Sequence, residues 1–346
     1  MMDHERDDEL DPELREAIGR LPKRVEPPED LWPGIRDRVR SADRRRGRRA
    51  VFVRWLPLTA AAVLVLAVAW WLGGGGGERG PSGVWEVQRV AGAPRVDDAR
   101  LDAVGSFQVG QWIETDDSSR AVITVGDIGH VDVRPGSRVQ LVRARSTDHR
   151  LSLAFGSIHA KVTAQPRIFF VETPAGTATD LGCEYTLETD SSGRGLIHVT
   201  GGYVEFASRD RRSIVPLGAF AVTRPDQGPG IPYVDDAPDS LRQALIAFDF
   251  ERGGTGAARA ALAAARSEDA LSIWHLLGRV DVALRGEVYD RLAALVPPPA
   301  GASRERALAL DAGTLGRYWD HIRRIHFRRV VLRGIRDLDP RTGVTK

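Results

Sequence analysis

From Gly83 to Arg224 apolar and polar residues alternate in short runs, and this pattern limits the possible folds more than anything else in the chain. "RAVITV", "HVDVRP", "RVQLVRA", "RLSLAFG", "SIHAKV", "IFFVET", "EYTLET", "LIHVTGGYVEF" and "FAVT" each put every second side chain on one face. Glycines and turn residues separate the runs about every ten residues, which is strand spacing. Helical periodicity is nearly absent. The pattern predicts an all-β antiparallel domain over 83–225, a sandwich or solenoid-like stack of about a dozen strands. Its expected inward residues are Val131, Val133, Val139, Leu141, Leu151, Leu153 and Phe155.

After "RPDQGPGIPYVDDAP", a linker by its Pro, Gly and Asp content, the period returns to 3.6. Leu241, Leu245 and Phe248 share one helix face, and Leu271, Trp274 and Leu277 another. Val288, Leu292 and Leu295 follow, stopped by Pro297–Pro299, and Leu315, Tyr318, Trp319 and Ile322 form a last stripe. Ser267 and Thr314 are the expected N-caps. The reading is a small all-α helical domain over 238–325, packed as antiparallel pairs, then a basic tail over 326–346 that frays. The helices either offer a docking platform or cover an open edge of the β domain.

Ahead of the β region, "WLPLTAAAVLVLAVAWWL" (55–72) carries no charge. Its length at 1.5 Å per residue is roughly 27 Å, close to a bilayer's hydrocarbon thickness. Tryptophans sit near both ends, and "RRRGRR" precedes it. The expectation is a single transmembrane helix over 50–73, with the arginine-rich side cytoplasmic and the following domains periplasmic, across the inner membrane. The pentaglycine opens a flexible linker over 74–82. Beside a span, the arginine run reads as a topological flank, so no nucleic acid partner is expected. Residues 1–49 read as a short, partly disordered segment with two amphipathic helices. Leu14, Ile18, Leu21, Leu31, Trp32 and Ile35 form an apolar stripe too small to bury itself, which makes it the expected partner-binding surface.

The chain has 346 residues, 42% hydrophobic and 28% charged, and a net charge of +2, so bulk charge names no partner. Its one cysteine, Cys183, excludes an internal disulfide and any multi-cysteine zinc site. Three readings stand for that thiol: buried and structural, an intermolecular disulfide, or a nucleophile. "GDIG" and "PAGTATDLG" lack a following lysine and read as turns, not phosphate cradles. His130, His149, His159 and His198 lie on different strands without metal-ligand spacing, and His275 follows Trp274 as a buried polar residue at a helix interface. Asp116–Asp117 and Asp235–Asp236 fit turns. Tyr203, Phe206 and Trp112 line a groove or fill the core. The expectation is therefore no catalytic residue, no metal and no cofactor.

The β region resembles the FecR domain of bacterial signalling proteins. The matching stretches are "VGSFQVGQWIETDDSSRAVITVGDIGHVDVRPGSRVQLV", "LSLAFGSIHAKV" and "FFVETPAGTATDLGCEYTLE", in the family's order. Gly182–Cys183 stands where the family carries Gly-Thr. "PPEDLWPGIRDRV" is similar to a short helix of anti-sigma-like proteins. The resemblance implies a membrane-anchored regulator whose cytoplasmic segment binds an extracytoplasmic-function sigma factor while the external domain contacts an envelope partner or ligand. Residues 1–49 lack the His-x-x-x-Cys-x-x-Cys zinc motif, and helices replace the β-rich end of the iron-uptake members. The alternative from another class is a non-signalling envelope scaffold or adhesion module.

Overall fold

The computed structural model describes residues 83–163, 165–209 and 211–337. The segment 1–49, the expected span over 50–73 and the linker over 74–82 lie outside the described residues. Gly80–Arg333 falls into one compact unit. The described strands are β1 (Val84–Ala91), β2 (Arg95–Val96), β3 (Ala99–Arg100), β4 (Val104–Gln108), β5 (Trp112–Glu114), β6 (Arg120–Val125), β7 (Gly129–Val133), β8 (Arg138–Arg145) and β9 (Asp148–Val162). They continue as β10 (Phe169–Thr173), β11 (Gly176–Asp180), β12 (Glu184–Thr189), β13 (Gly195–Gly201), β14 (Tyr203–Ala207), β15 (Arg212–Pro216), β16 (Ala219–Arg224), β17 (Gly228–Pro229) and β18 (Tyr233–Val234). The helices are α1 (Asp239–Phe250), α2 (Gly254–Ala264), α3 (Ala270–Leu277), α4 (Val282–Leu295), α5 (Arg304–Leu308) and α6 (Ala312–Asp337).

The strands pair in two ladders joined through β9. One runs β4, β1, β6, β7, the second half of β9, β12, β13 and β16, with β17 and β18 added to β16. The other runs β3, β2, β5, β8, the first half of β9, β10, β11, β14 and β15. Strand β9 changes ladders at Gly156. There φ is +98°, and a Cβ would lie 2.3 Å from the Ser137 Cα, so only glycine fits this pass. Thus "RLSLAFG" and "SIHAKV" form one bent strand. The all-antiparallel expectation also has an exception, because β9 and β10 run parallel.

Both ladders feed one apolar cluster that includes Val87, Phe107, Ile123, Leu141, Leu151 and Phe206. Six of the seven expected inward residues are fully buried. Phe155 is 38% exposed, because it sits next to the bend, where the alternation changes phase. The helices close a second cluster around Leu241, Leu271, Leu276, Val288, Leu292 and Tyr318, with Phe220 and Val222 of β16 packed against it. Ser267 does not cap a helix N–H. Its hydroxyl bonds the Glu268 side chain, and Arg266 pairs with Asp269 at that helix start. Asp311, not Thr314, does the capping at α6, accepting from the Thr314 N–H at 2.9 Å.

The architecture with a single transmembrane helix as its first element is corrected here. Among the described residues no helix is long and apolar enough to cross a membrane. Among the described helices only α6 has the length, at 26 residues, and it carries Arg317, Arg323, Arg324, Arg328, Arg329 and Arg333. The described chain is mostly β-sheet with C-terminal helices. Helix α6 continues through Asp337, held to the linker by the Arg333 pairs with Asp235 and Asp236.

Candidate functional site

The turn between β11 and β12 holds Cys183. Gly182 takes a φ of +85°, which lets the chain turn back on the Asp180 side chain. That carboxylate accepts from the N–H groups of Gly182 at 2.6 Å and Cys183 at 3.1 Å, and its other oxygen accepts from the Cys183 thiol at 2.7 Å. Burial pushes the Asp180 pKa up to about 6, against the pull of those three hydrogen bonds. Burial, and then the Asp180 charge, push the thiol pKa far up. Cys183 is 4% exposed. A thiol held protonated as a donor is no nucleophile, so the buried, structural reading fits. Glu184, its chain neighbour, turns away to pair with Lys161 at 3.1 Å and His159 at 3.2 Å.

A second cluster joins the helices to the β region. The Asp249 carboxylate of α1 is 1% exposed and pairs with Arg279, just after α3, at 2.6 Å. It also accepts from the Ile231 N–H at 2.6 Å and lies 3.5 Å from Arg211. Arg279 donates onward to the Ser213 hydroxyl at 2.7 Å and to the carbonyls of Arg212 and Pro229 at 3.2 Å. His275 donates from Nε2 to the Ile214 carbonyl at 3.3 Å, which fixes its tautomer. Burial, then the nearby Arg279 charge, bring its pKa down to about 3. Arg212 and Ile214 alternate along β15, so these side chains satisfy the edge of the last strand in its ladder. His326 of α6 extends the clasp, bonding the Leu217 carbonyl at 2.7 Å. The helices therefore cover a sheet edge, one of the two roles open from sequence.

Beside the bend of β9, against β12 and β13, lies an open recess of about 520 Å³. Its walls include Pro135, Gly156, Ser157, Glu188, Asp190 and Arg194. The Asp190 carboxylate is consumed by its own turn, accepting from Ser192 and from the Arg194 N–H. The exposed Glu188 and Arg194 side chains make no ion pair among the described residues and leave one charge of each sign facing outward. By contrast, the recess under α6, lined by Asp235, Glu268, His326 and Arg333, holds only about 10 Å³. The wide recess mixes polar groups with Pro135 and Leu196. It presents no nucleophile with an aligned base.

The other residues singled out from sequence are dispersed. Leu14, Ile18, Leu21, Leu31, Trp32 and Ile35 lie outside the described residues. His149 is buried in the core beside Trp85, with ring centroids 5.8 Å apart. His159 bonds Thr186 and Glu184, and His198 stacks on Phe220 at 4.0 Å. Among the described residues no group of His, Cys, Asp and Glu is arranged to hold a metal. Asp116 closes a turn through Ser118. Phe206 fills the core, Trp112 lies under the Arg138 guanidinium at 4.4 Å, and Tyr203 meets Trp319 edge-on at 6.3 Å. Sequence reasoning missed the roles of Asp180, Asp249 and Arg279. The available signals were an Asp three residues before the cysteine in "TDLGC" and lone charges beside apolar helix stripes in "IAFDF" and "WHLLGR".

Residues 111–205 match the family model described as FecR protein. The match runs from β5 into β14 and contains both the recess and the Cys183 turn. Over those residues the chain carries a FecR domain. No curated protein matches it. Two crystal structures of a candidate anti-sigma factor from Parabacteroides distasonis ATCC 8503, at 1.65 and 2.50 Å, are similar at 16% identity, with TM-scores of 0.32 and 0.33. Each similarity covers 38% of this chain, and 63% and 62% respectively of the crystallised chains, less than two thirds of their length.

Proposed function

We propose that the chain is a non-enzymatic signalling regulator. Its FecR domain binds a protein or ligand of the cell envelope, and its first 49 residues bind an extracytoplasmic-function sigma factor. The observation that carries this reading is the FecR match over residues 111–205. The side-chain chemistry is consistent with it: the thiol is tied to Asp180 and the buried ion pair to the β15 edge, while the open recess carries Glu188 and Arg194 on its rim. Leu14, Ile18, Leu21, Leu31, Trp32 and Ile35 are the proposed contacts to the sigma factor, as an amphipathic stripe docking in a groove. A reporter transcribed by the cognate sigma factor tests this. Alanine at all six positions should change its output at least about fivefold, as expected when apolar anchors of an interface are lost. Unchanged output at equal protein level would refute it.

A further inference from the structure

The two ladders end differently. The β15 edge is covered by Arg279 and His275, and the β16 end is covered by helices. Strands β2 and β3 are two residues each. Strand β4 is five residues long, pairs on one side with β1, and is exposed along its outer face. The bonds from Arg89 N–H to the Ala103 carbonyl and from Val109 N–H to the Gly83 carbonyl show which groups face β1. The odd-numbered residues of β4 bond inward, so Val104, Ser106 and Gln108 point their backbone groups to the open edge. Gln108 is occupied by Gln111, whose side-chain oxygen accepts from its N–H at 2.8 Å. Among the described residues, the backbone groups of Val104 and Ser106 have no partner.

Natural edges are guarded by charge, proline, bulges or cover. This one is not. Ala103 to Gln111 contains neither a charged residue nor a proline. Val104 is 58% exposed, Val109 50% and Val84 41%.

We propose that β4 pairs antiparallel with β4 of a second copy of this chain, about a twofold axis at Gly105. In that register Val104 of each copy stands opposite Ser106 of the other. The four free backbone groups on one strand then meet the four complementary groups on its mate, donor to acceptor. Gly105 faces Gly105 at the closely spaced position of an antiparallel pair, where it presents no side chain. Asp102 falls opposite Gln108, so no like charges meet. A pairing of this length buries less than a standard interface, so the dimer is weak and depends on concentration.

The register makes the test specific. Full-length Val104→Cys and Ser106→Cys proteins are mixed under mild oxidant, with Cys183 buried in both. The expected result is a disulfide heterodimer from the mixture that exceeds either single-variant homodimer at least about fivefold, because only the mixed pair sets the two cysteines directly opposite. In sedimentation, Ser106→Pro removes an edge donor and should weaken self-association at least about tenfold. Ser106→Lys, which leaves the backbone intact on an exposed site, should do the same by charge. Equal crosslinking in all mixtures, or self-association unchanged in both Ser106 variants, would overturn the proposal. So would a wild-type chain that stays monomeric up to millimolar concentration.

Discussion

Replacing Arg279 with alanine should detach the helices from the β15 edge. In the native fold the Asp249 carboxylate is 1% exposed, and its best partner is Arg279 at 2.6 Å. With Arg279 gone, the charge keeps the Ile231 N–H and a distant Arg211 at 3.5 Å. Breaking a buried pair from one side costs about 3–5 kcal/mol, mostly for the stranded charge. The remaining Arg211 contact puts this case near about 3 kcal/mol. The Ser213 hydroxyl and the Arg212 carbonyl lose a donor as well. Urea unfolding of the full chain, followed by tryptophan fluorescence, reads the loss directly. Trp274 and Trp319 sit at this joint with ring centroids 5.2 Å apart. Asp249→Asn added to Arg279→Ala should recover at least about 1 kcal/mol, since it removes the stranded charge and keeps an acceptor for Ile231. A single-mutant cost below about 1 kcal/mol, or a double mutant whose costs simply add, would refute the assignment of this pair as the clasp.

Three further tests follow from the same geometry. The Asp180 pKa is raised from 3.8 to about 6, so the folded state holds more protons between those values and stability falls as pH rises through that window, by about 3 kcal/mol in all. Asp180→Asn, which keeps an acceptor for the turn, should flatten that slope in pH-dependent unfolding; an unaltered slope contradicts it. The His275 pKa is lowered from 6.5 to about 3, so the unfolded chain binds the proton first and stability is lost as pH falls below 6.5, by about 1.4 kcal/mol per pH unit. His275→Gln should remove this acid dependence, measured by the same titration, and retention of the full dependence counts against the buried neutral imidazole. Gly156→Ala puts a Cβ 2.3 Å from the Ser137 Cα at a φ of +98° and should cost at least about 3 kcal/mol by calorimetry; a cost near zero would deny the bend its glycine.

Much of the β region was legible because alternation reports which face is buried, not which strand lies next to it. "RAVITV" is β6 residue for residue, and Val131, Val133, Val139 and Leu141 are buried as their spacing required. Adjacency was hidden. That β9 serves two ladders depends on one glycine's backbone angle and on its clearance from Ser137, neither of which changes the hydrophobic pattern. "LIHVTGGYVEF" divides into β13 and β14 for a similar reason, at Gly202 with a φ of +67°. At the site level, the lone cysteine is conspicuous in the sequence, yet its chemistry is set by Asp180, while the adjacent Glu184 pairs with Lys161 instead. The Asp249–Arg279 clasp joins residues thirty positions apart, beyond the reach of periodicity. The parallel pairing of β9 with β10 left no trace in the alternation, because both orientations bury alternate residues equally well.

Equilibrium binding of the full-length chain to an extracytoplasmic-function sigma factor tests the proposed function most directly. Saturable binding is expected, weakened at least about tenfold in the Leu31→Ala, Trp32→Ala double variant, since two anchors of a small apolar stripe are lost. Absence of saturable binding, or equal affinity of the wild type and the double variant, would contradict it.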